Sequence, residues 1–290
     1  MARKIIVVGA GGQLGTELLS TAPADVECIG LTRAELDLSD ADAVTRCLEQ
    51  SAPEQVINAA AYTAVDKAET EPEAARAGNV EAPANLARAC AARGVRLLHV
   101  STDFVFDGSA SSPYPPDAEP SPLGEYGRTK LAGEQAVREA LPDALVVRTA
   151  WVYSAHGNNF VKTMLRLMAE RDELNVVADQ VGTPTWAKGL ARALWLAVDR
   201  PALAGTFHWT DAGACSWYDF AVAICEEGVA MDILPREIDI HPISTDQYPT
   251  PATRPAYSVL DKSATWRELE TQGIHWRKQL RAMLKELDHG

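Results

Sequence analysis

The sequence predicts an α/β fold, a doubly wound parallel sheet followed by a smaller, less regular C-terminal lobe. Three observations carry this reading. From Lys4 to Leu19, the aliphatic run Ile5 to Val8 reads as a buried parallel strand that turns through Gly9-x-x-Gly12-x-x-Gly15 into a segment with helical apolar spacing. Short apolar runs then alternate with amphipathic stretches as far as the run Ala144 to Arg148. Beyond residue 150 the units become shorter and the alternation is lost, so the division expected is 1–150 for a nucleotide-binding unit and 151–290 for a second lobe.

The first strand-to-helix turn sets the rest. Gly9 permits the tight turn, Gly12 lets a phosphate approach bare backbone, and Gly15 lets the helix pack closely on the strand. The helix that begins with Gln13 and Leu14 aims its free N–H groups at a pyrophosphate, the arrangement of a Rossmann-type dinucleotide site. Val26 to Leu31 reads as the second strand, after which such a fold inspects the adenosine ribose. Thr32 and Arg33 stand there; a hydroxyl beside a guanidinium suits the 2′-phosphate of NADPH, with NADH still compatible. Asp37 and Leu38 follow where similar folds touch the adenine, and Ser39 reads as a cap for a helix reaching Gln50.

The third strand, Gln55 to Asn58, runs into Ala59 to Thr63, where the small side chains around Ala61, Tyr62 and Thr63 leave room for a cofactor. Pro72 then starts an amphipathic helix expected to continue to about Arg93, with Asn79 beside its apolar face, either a satisfied buried amide or the holder of a water. A fourth strand, Val95 to Val100, ends in Ser101, Thr102 and Asp103 at the same edge of the sheet as Gly12. The Ser- and Pro-rich stretch from Gly108 to Pro122 reads as a loop delivering the chain into the helix that carries Tyr126 and Lys130. Four residues apart on a helix, the two side chains share a face, so an ammonium can lower the pKa of the phenol. Such a phenol can protonate a ketone oxygen while a nicotinamide delivers hydride to its carbon, with Thr102 bonded to the same oxygen.

Composition limits the partners. A formal charge of −13 over 290 residues repels nucleic acid and anionic membranes, so an anionic ligand must be small and held by local donors. No apolar run approaches a bilayer span and no cleavage signal is evident, so a cytoplasmic protein is expected. The five cysteines are odd in number and include no Cys-x-x-Cys pair, which suggests neither a disulfide framework nor a zinc site.

Taken together, the glycine fingerprint, Ser101-Thr102-Asp103 and Tyr126-x-x-x-Lys130 resemble an extended short-chain dehydrogenase/reductase. More narrowly the chain resembles the dTDP-4-dehydrorhamnose reductase family. This rests on Asn58 to Glu69, Ser101 to Gly108, Arg148 to Tyr153, Gly157 to Phe160, Asp179 to Thr185 and Tyr248 to Pro255, which span the chain nearly end to end. The resemblance implies a nucleotide-sugar substrate touched by Val65, Thr102, Asp103, Trp151 and Arg254, with Tyr126 as proton donor and Lys130 on the nicotinamide ribose. It also implies partly interleaved lobes and is compatible with a homodimer. Some members hold Mg2+ at a subunit contact through acidic side chains; Glu17 matches one ligand, but Lys188 stands where another is expected, so no metal is assigned. Two other readings stay open, an NDP-sugar epimerase using the same Tyr and Lys, and a non-catalytic NADP-binding subunit similar to the β subunit of methionine adenosyltransferase.

Overall fold

The computed structural model describes residues 2–287. In chain order, β1 (Arg3–Val8) leads through α1 (Gln13–Ser20) to β2 (Val26–Leu31), then α2 (Ala41–Ser51) and β3 (Gln55–Asn58). The short helices α3 (Val65–Ala68) and α4 (Pro72–Arg76) precede a π turn at Ala77–Glu81, α5 (Ala82–Ala91), β4 (Arg96–Thr102), α6 (Glu125–Ala140) and β5 (Leu145–Thr149). These five strands are parallel, in the spatial order β2-β1-β3-β4-β5.

Alternation along β1 explains the two layers. Ile5 and Val7 pack against Leu14 and Leu18 of α1, whereas Ile6 and Val8 face Val44 and Leu48 of α2 and Leu86 of α5. Because β1 lies between β2 and β3, successive crossovers leave it in opposite directions. The crevice this opens lies at the carboxyl ends of β1 and β3, where open α/β sheets bind ligands.

The rest of the chain runs through β6 (Val152–Tyr153), α7 (Phe160–Glu170), β7 (Glu173–Val177), β8 (Val181–Gly182), β9 (Thr185–Trp186) and α8 (Ala187–Val198). It continues with β10 (Gly205–His208), β11 (Cys215–Ser216), α9 (Trp217–Ala230), β12 (Asp239–Ile243), α10 (Ser263–Glu268) and α11 (Trp276–Leu287). β10 returns to pair in parallel with β5 as the sixth strand of the main sheet, and Leu190 and Leu194 of α8 share the core with Leu14 and Leu18 of α1. The sheet therefore does not end at residue 150. A second core, built on Phe220, Met168, Trp276 and Leu280, lies under the three two-stranded ladders β6–β9, β7–β12 and β8–β11.

Two local expectations change. Asp40, not Ser39, caps α2: its Oδ1 accepts the Ala43 N–H at 2.9 Å, while the Ser39 hydroxyl donates to Asp37 Oδ1 at 2.8 Å. The helix expected over residues 72–93 is interrupted by the π turn, which swings the Asn79 side chain inward. No helix of the described residues is long and apolar enough to cross a membrane.

Candidate active site

Gly9, Thr32, Ala59 to Thr63, Thr102, Asp103 and Trp151 lie at or follow the carboxyl ends of β1 to β5, whereas Asn79 sits in the π turn and Tyr126 and Lys130 on α6. Gly9 adopts φ +80°, and a Cβ there would lie 2.6 Å from the Ala60 amide, so β1 and the segment after β3 close on each other only through glycine. A Cβ on Gly15 would lie 2.2 Å from the Gly9 carbonyl oxygen; one on Gly12 would meet the same atom at 3.4 Å, an ordinary contact. The N-terminus of α1 thus stands open beside bare backbone, as a diphosphate requires. Leu14 faces the core, whereas the Gln13 amide accepts from Asn159 Nδ2 at 2.9 Å and ties the loop to the second lobe.

At the end of β2, the Thr32 hydroxyl and amide both donate to Glu35 Oε2, at 2.7 and 2.8 Å. Thr32 is thus bonded to a carboxylate, while exposed Arg33 lies near enough to Asp37 for its charge to help lower that carboxyl. Asp37 accepts from the amide and hydroxyl of Ser39, which hold its carboxyl below the usual range, and Leu38 is buried. Asn79 is a buried amide with protein partners on both its polar atoms. Its Oδ1 accepts the Tyr62 N–H at 2.9 Å, and its Nδ2 donates to the Tyr62 carbonyl at 3.1 Å and to Thr129 Oγ1 at 3.2 Å. Through these bonds the amide pins the Ala61–Thr63 segment to α6. A Cβ on Gly133 would come within 1.9 Å of the Asn79 carbonyl oxygen, so that residue of α6 is fixed by the π turn pressing on it.

The reactive corner forms where β4 meets α6. Glu69 Oε1 accepts the Glu125 N–H at 2.7 Å and caps α6, a contact between residues 56 positions apart that no motif marks. Tyr126, 9 % exposed, lies edge-on to Phe104 at 5.5 Å and packs near Val65 and Tyr62. Thr102 Oγ1 donates to Asp103 Oδ1 at 3.1 Å and accepts the Phe104 N–H at 3.2 Å. Burial pushes the Tyr126 phenol up to about 12, with hydrogen bonding to Thr102 pulling it back and the nearby Asp103 charge raising it. Burial also raises the Asp103 carboxyl to about 6 against hydrogen bonding from Ser258 and Thr102.

Lys130 is turned toward the backbone of β4. Its Nζ donates to the Val100 carbonyl at 2.8 Å, and burial lowers it to about 8, with Glu134 one turn along opposing that fall. Besides burial, Thr102 and Asp103 act on the phenol, which at about 12 is protonated at neutral pH. Glu134 in turn is gripped by the Arg148 guanidinium, Nε to Oε1 at 2.9 Å and NH2 to Oε2 at 2.7 Å, in a pair with side chains 0 % and 2 % exposed. Arg148 also reaches the Pro116 carbonyl at 3.4 Å, which anchors the Ser- and Pro-rich loop beside α6.

In the second half, Arg254 is engaged rather than free. Its NH1 and NH2 donate to Asp66 Oδ1 and Oδ2 at 3.0 and 2.8 Å, a bidentate clasp between the loop at residues 248–255 and α3. A diphosphate approaching that guanidinium meets a charge already balanced, which nothing in the motif spacing revealed. Trp151 turns out of β5 with φ +47°, a conformation that costs a bulky residue roughly 1–2 kcal/mol.

The acidic residues do not fit a divalent cation. Glu17 is fully buried with Oε1 unpartnered, and burial raises its carboxyl while Lys188 pulls it back. Lys188 is ion-paired with Glu286 and lies 5.4 Å from the Trp186 ring, so two carboxylates already surround an ammonium. Among the described residues no three His, Cys, Asp or Glu side chains group as metal ligands.

With this geometry in view, comparison with known proteins is informative. Residues 3–289 match the RmlD substrate binding domain family. The dTDP-4-dehydrorhamnose reductase of Mycolicibacterium smegmatis is 45 % identical over 97 % of this chain and 84 % of its own. The crystal structure of a dTDP-4-dehydrorhamnose reductase from Clostridium acetobutylicum superposes with a TM-score of 0.92 at 41 % identity, covering 98 % of this chain and 99 % of that one. That of the Bacillus anthracis dTDP-4-dehydrorhamnose reductase in complex with NADP gives a TM-score of 0.92 at 34 % identity, covering 99 % and 100 %. With its Rossmann-type sheet and a match running over nearly its whole length, the chain belongs to the dTDP-4-dehydrorhamnose reductase family, oxidoreductases of the extended short-chain dehydrogenase/reductase class.

Proposed function

We propose that this protein reduces the 4-keto group of dTDP-4-dehydro-L-rhamnose to a hydroxyl at the expense of NADPH, giving dTDP-L-rhamnose. The observation that carries the reading is the meeting of Thr102, Asp103 and Tyr126 at the carboxyl end of β4, in a chain whose relatives are named for this reaction. A nicotinamide bound in the crevice supplies the hydride. The glycine loop Gly9 to Gly15 would hold its pyrophosphate, Arg33 the 2′-phosphate, Asp37 and Leu38 the adenine, and Ala61 to Thr63 the remaining nucleotide, with Tyr126 and Lys130 on the nicotinamide ribose. The B. anthracis relative was crystallised with NADP.

The proton comes from the protein. As hydride reaches the carbonyl carbon, the oxygen becomes an alkoxide, a stronger base than a phenolate, so a phenol held near 12 is fully loaded at neutral pH and transfers its proton downhill. Thr102 turns its hydroxyl from Asp103 to the same oxygen and orients the ketone. Trp151 and Val65 shape the space for the sugar. Mg2+ has no part in this scheme.

The test is Tyr126→Phe, assayed by loss of NADPH absorbance with the keto-sugar nucleotide and by fluorescence titration of NADPH. Turnover should fall on the order of 10²–10⁴-fold while NADPH affinity stays within about twofold. Wild-type turnover in the variant would remove Tyr126 from the mechanism. Wild-type protein that interconverts sugar nucleotides without net NADPH consumption would instead be an epimerase.

A further inference from the structure

We infer that Trp217 is a positioning residue for the sugar of the substrate, acting through Trp151, and that Gly182 is the gap that lets the Trp151 ring lie where it does. The Trp151 and Trp217 rings are stacked, with centroids 3.5 Å apart and planes 8° from parallel. Trp217 also contacts Phe160 at 4.6 Å, and Phe160 stacks at 5.6 Å on Phe220, which is fully buried in the second core. Trp151 is thus the free end of an aromatic column rooted in the lobe.

The backbone under the column is fixed at each step. Trp217 opens α9 directly after Ser216, whose side chain forms a reciprocal capping box with Asp219. Cys215 pairs with Gly182 across the β8–β11 ladder, so the segment bearing Trp217 and the residue under the Trp151 ring are held by the same hydrogen bonds. A Cβ on Gly182 would lie 2.6 Å from Trp151 Cε2 and 2.9 Å from Ser258 Oγ. Ser258 acts in turn on Asp103, beside Thr102. The Trp151 ring thus lies beside Gly182 and near Ser258, which links it to Asp103, while Trp217 stacks on it and both indoles stay half-buried. A Trp side chain in left-handed backbone persists only where its surroundings over-determine it, which points to use of the ring. The ring so placed is an apolar wall for the C–H face and methyl group of a 6-deoxysugar, not for the nucleotide.

This inference rests on the reductase reading, which the wild-type assay tests by itself: NADPH oxidation with the keto-sugar nucleotide must be seen first. Binding of dTDP-L-rhamnose, dTDP and NADPH is then measured by calorimetry for wild type, Trp151→Ala, Trp217→Ala, Trp217→Phe and Gly182→Ala. The expected result for Trp217→Ala is roughly three- to tenfold weaker dTDP-L-rhamnose with dTDP and NADPH unchanged. Trp217→Phe should restore most of that loss. Gly182→Ala, which keeps both indoles but moves the ring, should give the same pattern as Trp217→Ala. The coupled near-ultraviolet circular dichroism of two stacked indoles should vanish in Trp151→Phe and in Trp217→Phe alike, which checks the stack without any ligand. If Trp151→Ala weakens dTDP-L-rhamnose but Trp217→Ala and Gly182→Ala do not, the positioning role is wrong. Equal losses for dTDP and dTDP-L-rhamnose would also overturn it, because the column would then serve the nucleotide.

Discussion

The two glycines at positions 12 and 15 make a sharp test because the structure assigns them different work. In Gly15→Ala the new Cβ would start 2.2 Å from the Gly9 carbonyl oxygen and 2.6 Å from Ala10 Cα, both backbone atoms with no rotamer to yield. Reaching ordinary contact requires α1 to withdraw by about 1 Å or more. That helix carries buried Leu14 and Leu18 against α8, so the shift disturbs a filled core and should cost about 1–3 kcal/mol. It also draws the helix N-terminus away from the crevice. In Gly12→Ala the Cβ would meet the Gly9 oxygen at 3.4 Å, and φ −83°, ψ 170° is backbone that alanine adopts freely. Stability should stay within about 0.5 kcal/mol of wild type. Yet the methyl group occupies the approach of the phosphate, so NADPH should bind at least about tenfold more weakly, equivalent to about 1.4 kcal/mol. Urea unfolding of ligand-free protein and NADPH fluorescence titration give the two readouts. The reasoning fails if Gly15→Ala unfolds at the wild-type urea concentration, or if Gly12→Ala binds NADPH normally.

Three more outcomes follow from the site. Arg33→Ala should weaken NADPH about tenfold or more and leave NADH nearly unchanged, since Thr32 is already committed to Glu35; equal losses in two titrations would show that Arg33 does not read the 2′-phosphate. Because burial brings Lys130 down to about 8, its ammonium is present below that pH and lost above it, so kcat/KM should fall as pH rises through about 8; a limb only above about 10 would contradict the lowered value. Glu134→Gln leaves the buried Arg148 guanidinium without its counter-charge and should cost about 3–5 kcal/mol in urea unfolding, most of it regained in Glu134→Gln with Arg148→Met; additive losses in the double variant would argue against a coupled pair.

Local chemistry was legible in the chain. The run Ile5 to Val8, the three glycines after it and the strands Val26 to Leu31 and Gln55 to Asn58 follow from side-chain period and turn residues within a dozen positions, and the structure places them as read. Long-range pairing was not. Nothing in residues 205–208 says that β10 belongs beside β5 in the first sheet. The π turn at Ala77–Glu81 escapes a helical period because it inserts one residue while the helical run goes on, and a lone Gly78 within it does not signal such a turn. Side-chain commitments were hidden for a similar reason. Asp66 grips Arg254 across 188 positions, and Lys130 turns to a backbone carbonyl 30 positions away, neither of which a motif spacing encodes. Trp217 left only a faint trace, a large aromatic directly after a capping serine, which by itself reads as core.

The return of β10 to the first sheet has a consequence for synthesis of the chain. Until residues 205–208 have left the ribosome, β5 presents an open row of backbone donors and acceptors along its outer side, and Leu145 and Val147 lack Leu190 and Leu194 over them. A nascent polypeptide stopped near residue 150 therefore exposes a sticky, aliphatic border rather than a finished unit. Fragments cut at that position should precipitate or recruit chaperones, and only a chain carried past α8 and β10 can seal its own first half.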